Sequence, residues 1–320
     1  MINEIKTSQL KPKEFINNKI NEIKSLIGQG IAFCALSGGV DSSVTAVLGH
    51  KALGDRLKCY FLQNGLMREN EAETVVATFQ KLGIKVNVYN CEDKFFNALK
   101  GKRDPEEKRQ AITDTFYQEV FPQIMNEIGA QYLFQGTIYT DIEETVAGIK
   151  RQHNVLEQVG IDTLVKYGYK VVEPLVELRK DGVRKIGKAL GLPATIFNRI
   201  PFPGPALAAR VIGEVTREKI AMVRKATAIV EKEMKDIRAF QYLAILHEDM
   251  ITGIKDKKRK FGYQIELRCW ESKDATVAKP KRLSFAKLEK IADKICRLIP
   301  DVVSVTYNIT KKPPSTIEAV

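Results

Sequence analysis

Apolar residues recur at Phe15, Ile16, Ile20, Ile23, Leu26 and Ile27, a spacing that predicts a helix over 12–28. The uncharged run Ile31-Ala32-Phe33-Cys34-Ala35-Leu36 predicts a buried strand, followed by a helix to about Leu53. Residues 57–62, 85–89 and 131–134 predict three more strands, with helices over 71–82 and 106–128 between them. Residues 171–175 read as short and extended. A helix over 180–190 is closed by Gly191 and Pro193. This alternation predicts an α/β fold, a doubly wound and mostly parallel sheet with helices on both faces.

The second part of the chain reads differently. Pro201-Phe202-Pro203-Gly204-Pro205 can continue neither a helix nor a central strand. It divides the chain into residues 1–203 and a smaller α+β domain over 204–320. That domain is expected to hold helices over 216–234 and 284–298 and extended runs over 240–246, 261–270 and 302–309. Alternation of Tyr263, Ile265, Leu267 and Cys269 predicts a strand with one buried face. The stretch 141–164 is polar and lacks a clean period, which predicts a mobile segment over the site.

Chemistry concentrates where the first strand ends, at Ser37-Gly38-Gly39-Val40-Asp41-Ser42-Ser43. Glycines let backbone approach an anion, and a helix N-terminus adds free N–H donors and a positive dipole end. Three serine hydroxyls add donors, and Asp41 is placed to hold a magnesium ion between phosphate oxygens. The turn is not a Walker A loop, because no lysine closes it. In open α/β sheets, ligands sit beyond the carboxyl ends of the strands, where strand order reverses. Gln135-Gly136-Thr137, at the end of the fourth strand, belongs on that same rim.

Composition narrows the setting. The 320 residues are 44% hydrophobic, as in a soluble globular protein. No apolar run approaches the ~18 residues of a membrane span, and the first residues hold no signal-peptide core. A cytoplasmic protein is therefore expected. Five cysteines form no C-x-x-C pair, which argues against zinc or redox chemistry. The net charge of +12 is uneven. Residues 1–205 carry 27 Lys+Arg against 24 Asp+Glu, and residues 206–320 carry 24 against 15. The second part therefore attracts anions, whether nucleotide phosphate or RNA. The densest run, Lys255-Asp256-Lys257-Lys258-Arg259-Lys260, reads first as a solvated loop.

Taken together, these motifs resemble a known family. The serine-rich loop is similar to that of ATP pyrophosphatases. Gln135-Gly136-Thr137, Lys150 with His153-Asn154-Val155, Glu173-Pro174-Leu175, Lys180-Asp181 with Val183-Arg184, the proline-rich junction and Lys312-Pro313-Pro314-Ser315-Thr316-Ile317-Glu318 extend the likeness. It runs from Phe15 to Glu318, and the family is the ATP pyrophosphatase subunit of GMP synthetase with its C-terminal dimerisation domain. The resemblance implies that ATP adenylates the C2 oxygen of xanthosine monophosphate (XMP) and that ammonia then displaces AMP to give GMP. It implies ATP and Mg2+ as cofactors. Ser37 to Ser43 and Lys180 would hold pyrophosphate, and Asp41 and Asp181 the metal. Gly65, Gln135, Gly136 and Thr137 would lie at the nucleotide. Lys150 and His153 would belong to a lid that limits water attack on the adenylate. Arg210, Lys312, Thr316, Ile317 and Glu318 would bind XMP. A homodimer is implied.

The glycine-serine loop begins at Ser37, leaving too little chain before it for a glutaminase domain of ~100 residues. No G-x-C-x-G turn occurs. Ammonia is therefore expected from solution or from a separate glutamine amidotransferase subunit. The chain departs from the family at Leu156-Glu157-Gln158-Val159, at Gly182, at Ala206, around the 257–261 run and at Ala319-Val320. Those changes fall where the acceptor should bind, so two other readings stand beside the first. One is a paralogue that adenylates another purine or an RNA base. Its amidating and sulfur-inserting forms differ in whether Cys91 is needed. The other is a non-catalytic nucleotide-binding homologue, against which the intact loop argues.

Overall fold

Ala32–Leu36 forms β1, the centre of a five-stranded sheet in a computed structural model that describes residues 2–146, 163–197, 200, 202–255, 257–273 and 275–319. The other strands are β2 (Leu57–Gln63), β3 (Val86–Asn90), β4 (Tyr132–Phe134) and β5 (Lys170–Val172). All pairings are parallel and the order is β3-β2-β1-β4-β5. Strand order therefore reverses between β1 and β4, so the loops leaving these two strands flank the crevice where such folds bind ligands. Residues on both faces of β1 are buried, as a central parallel strand requires.

The helices of this unit are α1 (Pro12–Ile27), α2 (Val40–Leu53), α3 (Glu71–Gln80) and, further along, α6 (Phe121–Ile128), α7 (Tyr139–Val146), α8 (Thr163–Tyr167), α9 (Lys180–Ala189) and α10 (Ala194–Phe197). Phe33 of β1 meets Phe121 edge-on at 5.4 Å, and Tyr117 meets Phe121 at 5.1 Å. The long helix expected over 106–128 is broken. An α-helix over Pro105–Asp114 gives way to a π-helical turn at Thr115–Val120 before α6. Pro122 supplies the reason: it has no N–H for the carbonyl four residues back, and its ring crowds that carbonyl.

Chain contacts group the residues into two units. The first holds residues up to Gln63, Asn70–Cys91 and Thr113–Arg199; the second holds Asn64–Glu69, Glu92–Ile112 and Ile200–Val320. The second unit contains α4 (Glu92–Leu99), which has no counterpart in the sequence reading, and most of α5 (Pro105–Asp114). It continues with α11 (Arg217–Glu233), β6 (Gln241–Lys255), β7 (Lys258–Glu271), β8 (Lys279–Pro280), α12 (Phe285–Leu298) and β9 (Val302–Tyr307). Strand β7 is antiparallel to β6 and β8 and parallel to β9.

Two expectations change here. The runs over 240–246 and 261–270 are the inner parts of one long hairpin, whose arms reach Lys255 and Lys258. The basic run is its tip, exposed at Lys257, Lys258 and Arg259, but with Lys255 and Lys260 tied down. Lys255 Nζ donates to the carbonyls of Cys296 (3.0 Å) and Pro300 (3.2 Å), and Lys260 Nζ donates to that of Pro300 (3.1 Å). Two lysines thus satisfy carbonyls at the C-terminal end of α12, where cations are favoured. Strand β7 also buries both faces at its end. Arg268 and Trp270 are buried along with Leu267 and Cys269, because the chain terminus folds back over them.

Candidate functional site

The turn after β1 is braced by its own serines. Gly38 has φ +75°, a conformation glycine adopts without strain, and Gly39 caps α2. The Gly39 amide donates to Ser37 Oγ (3.3 Å), and Ser37 Oγ and Ser42 Oγ lie 3.0 Å apart. Ser43 is wholly buried and donates to the Gly39 carbonyl (2.7 Å). Ser37 and Gly39 are exposed, while Val40 points into the core.

Asp41, in the first turn of α2, forms an ion pair with Lys180, the first residue of α9. The pair uses Asp41 Oδ2; Oδ1 is buried and has no hydrogen-bond partner. The N-terminus of α9 is anchored by Arg179, which donates to Glu4 (3.0 Å) and Glu143 (2.9 Å). Hydrogen bonds from Arg179 push the Glu143 carboxyl below its usual range. Asp181 faces elsewhere. Its carboxylate accepts from the Thr7 hydroxyl, and that bond, followed by backbone N–H groups of Gly182 and Asp181 itself, lowers its pKa.

The end of β4 closes on the same turn. A Cβ on Gly136 would lie 2.9 Å from the backbone of Asp41 and of Ser42, so only glycine permits this approach. Gln135 is 6% exposed, and neither atom of its amide has a partner. Thr137 is fully buried. Lys150 and His153 lie outside the described residues.

In the second unit, the terminal segment is held as a strap. Arg268 Nη1 donates to the carbonyls of Thr316 (2.8 Å), Glu318 (3.3 Å) and Ile317 (3.4 Å), and Trp270 Nε1 donates to that of Ile317 (3.2 Å). Ile317 packs with Leu243, Ile245, Trp270 and Ala278. The Glu318 carboxylate accepts from Gln241 (2.5 Å) and from Arg210 Nε (3.4 Å). Arg210 is 1% exposed and lies 5.0 Å over the Phe202 ring, yet Nη1 and Nη2 have no partner. Lys312 donates to the Ala275 carbonyl (2.8 Å). Gly65, with φ +76°, presents its carbonyl to Arg224. Beneath the strap, burial raises the Glu266 pKa, but hydrogen bonds from His247 (2.8 Å) and Arg268 (2.6 Å) outweigh it and carry the carboxyl to about 2.

Comparison with known proteins follows this division. Residues 10–207 match the family model "NAD synthase", and residues 228–319 match "GMP synthase C terminal domain". The B subunit of the glutamine-hydrolyzing GMP synthase from Archaeoglobus fulgidus is 47% identical, over 96% of this chain and 98% of its own length. Its namesake from Methanocaldococcus jannaschii is also 47% identical over the same shares, and that from Pyrococcus furiosus is 46% identical over 96% and 97%. The chain belongs to the family of GMP synthase B subunits.

The residues present fit the groups that this family implies. A buried carboxylate oxygen without a partner costs about 1–3 kcal/mol, and Asp41 Oδ1, unpartnered in the turn after β1, is suited to a hard cation. Magnesium is commonly held by one or two carboxylates plus substrate phosphates. Among the described residues, no group of three or more His, Cys, Asp or Glu could hold a metal by itself. Arg268, Trp270 and Gln241, which hold the strap in this member of the GMP synthase family, were not legible as site residues. Their signal was slight: Gln241 opens the apolar run 242–246, and Arg268 and Trp270 alternate with the apolar Leu267 and Cys269.

Proposed function

We propose that this chain is the ATP pyrophosphatase subunit of a GMP synthase, converting XMP to GMP with cleavage of ATP to AMP and pyrophosphate. The observation that carries it is the glycine-serine turn at the reversal point of the sheet, with Asp41 Oδ1 buried and unpartnered beside Lys180.

The turn binds the leaving pyrophosphate. The backbone N–H groups at the start of α2, the hydroxyls of Ser37 and Ser42 and the Lys180 ammonium neutralise the charge that develops as the α–β bond breaks. The buried Ser43 braces the turn from behind. A bound Mg2+, held by Asp41, supplies Lewis-acid charge neutralisation at the phosphates. Asp181, whose carboxylate accepts from the Thr7 hydroxyl in this structure, would be the second residue to hold the ion. Gln135 and Gly65 would serve the nucleotide, and Lys150 and His153 the lid. In the first half-reaction the C2 oxygen of XMP attacks the α-phosphorus and pyrophosphate leaves. Ammonia then adds at C2, AMP departs with that oxygen, and a proton is lost from nitrogen.

XMP binds at the strap of the second unit. Arg210, with two buried Nη groups free, offers the bidentate fork suited to an anionic oxygen pair. Glu318, Thr316, Ile317 and Lys312 complete the site. A separate amidotransferase subunit supplies ammonia from glutamine. The chain also pairs with a second copy. Met250, Ile254 and Phe261 are 52%, 79% and 68% exposed along the hairpin, and apolar residues grouped in this way mark an interaction surface.

A thiolating paralogue would need an accessible thiolate. Cys91 is 4% exposed and its S–H donates to the Gln63 carbonyl (3.6 Å), which favours amination. The test is pyrophosphate release with ATP, magnesium and ammonium, comparing XMP with other purine nucleotides and bulk tRNA. Turnover with XMP alone is expected; turnover with another acceptor in its place would sink the proposal. Asp41→Asn should lower that turnover by about a hundredfold or more. The Lys180 pair is partly exposed and worth at most about 1 kcal/mol, so folding should be unaffected.

A further inference from the structure

Lys108 is 1% exposed, one turn into α5. Its placement is set locally. Asp104 accepts from the amides of Glu106 (2.8 Å) and Glu107 (3.1 Å) and so caps the helix, with Pro105 at its first position. Lys108 then falls on the buried side with Ala111 and Ile112. Its ammonium donates to the carbonyl of Val211 at 2.9 Å, and Val211 is the residue after Arg210.

The segment following Arg210 is tied at every polar group that the structure pairs there. Val211 forms a bridge with Leu246, and the Ile212 amide donates to the Leu246 carbonyl (2.9 Å). The Glu214 carbonyl accepts from Lys219 (3.0 Å), and its carboxylate accepts from the Gly101 amide (2.7 Å). The Lys108 bond falls on the residue directly after Arg210, and it comes from a buried charge, which is costly to place without a purpose.

We propose that Lys108 is a positioning residue for the acceptor nucleotide, fixing the Val211 carbonyl and through it the direction of the Arg210 guanidinium. This rests on the reading that Arg210 binds XMP. A guanidinium held with two free Nη groups in an apolar setting needs its backbone fixed, because a small misplacement of a positioning group costs binding steeply. Burial lowers the Lys108 pKa to about 8. The charged groups around it are Glu248 on β6, Lys219 on α11, and Arg103 and Asp104 before α5. Deprotonation near pH 8 therefore weakens the bond to Val211.

The experiment measures pyrophosphate release driven by ammonium for the whole chain, Lys108→Met and Arg210→Lys. For Lys108→Met the KM for XMP should rise about tenfold, the worth of one charged hydrogen bond, with the KM for ATP unchanged. In the unaltered chain the KM for XMP should rise between pH 7 and 9, and that rise should vanish in Lys108→Met. An unchanged KM in Lys108→Met beside a raised one in Arg210→Lys overturns the role of Lys108 alone. Unchanged values in both variants overturn the Arg210 reading with it. If Lys108→Met does not fold, the pH profile of the unaltered chain decides, and a flat profile from pH 7 to 9 refutes the inference.

Discussion

Arg268→Met tests the strap directly. Arg268 is 8% exposed, and its Nε bonds Glu266 at 2.6 Å while Nη1 bonds the Thr316 carbonyl at 2.8 Å. The longer contacts to Ile317 and Glu318, at 3.4 and 3.3 Å, add little. Methionine fills much of the same space but removes the charge. Breaking a buried pair by taking one partner costs about 3–5 kcal/mol. Here Glu266 keeps His247 at 2.8 Å and Asn308 at 3.0 Å, so the lower end, about 3 kcal/mol, applies. Losing the Thr316 bond adds about 1 kcal/mol. Urea unfolding should show this loss of about 3–4 kcal/mol in the second unit. Hydrogen exchange should show faster exchange over residues 315–319, and the KM for XMP should rise with the KM for ATP steady. A loss under about 1 kcal/mol with an unaltered KM for XMP would refute the claim that Arg268 holds the strap. The partner variant separates pair from strap. Glu266→Gln combined with Arg268→Met should cost less than the two single losses added, because the second substitution removes the stranded charge.

The same carboxylate makes the protein acid-sensitive. Glu266 has a folded pKa of about 2 against an ordinary value of 4.5, so its stabilising share is complete above the ordinary value and is lost as pH falls from there toward 2. The acid unfolding slope in that window should flatten in Glu266→Gln, as read by circular dichroism against pH. Gly136→Ala places a methyl 2.9 Å from backbone that cannot yield; a destabilisation of about 1–3 kcal/mol is expected with loss of ATP-dependent pyrophosphate release, and an alanine variant with normal turnover would show that β4 does not hold the turn.

The centre of the sheet was legible because a parallel strand buried on both faces writes an uninterrupted apolar run. The stretch from Ile31 to Leu36 is one such run, and β1 falls inside it. Helix ends carried equal information where Gly or Pro stops them. The errors have a common form. A proline four residues from the carbonyl it disturbs, at Pro122, looked tolerable in a periodic helix and in fact forces a π turn. The hairpin tip is exposed at Lys257, Lys258 and Arg259, as its charge suggests, but the lysines on either side of it are tied down. Lys255 and Lys260 in fact reach carbonyls near the end of α12, about forty residues away, which no local window contains.

The site divides in the same way, and the reason is physical. The turn at Ser37 to Ser43 is local: a strand end, two glycines and a helix start within seven residues supply the donors the proposed phosphate site needs, so the motif alone suggested it. An acceptor site built from a strap is nonlocal. Arg210 and Glu318 are 108 residues apart in sequence, and Arg268 and Thr316 are 48 apart. Each of these polar residues, read alone, is as consistent with a solvated surface as with a buried pair. What distinguishes them is burial without satisfaction. Arg210 is enclosed, stacked on Phe202 and still has two donors free, and a folded chain leaves buried donors unpaired chiefly where something else is to pair them. Gln135 and Asp41 Oδ1 carry the same mark in the first unit. Thr45 and Thr227 also bury an unpaired hydroxyl, so unmet hydrogen bonding selects a site only where it meets a motif or a charge, as it does at Asp41, Gln135 and Arg210.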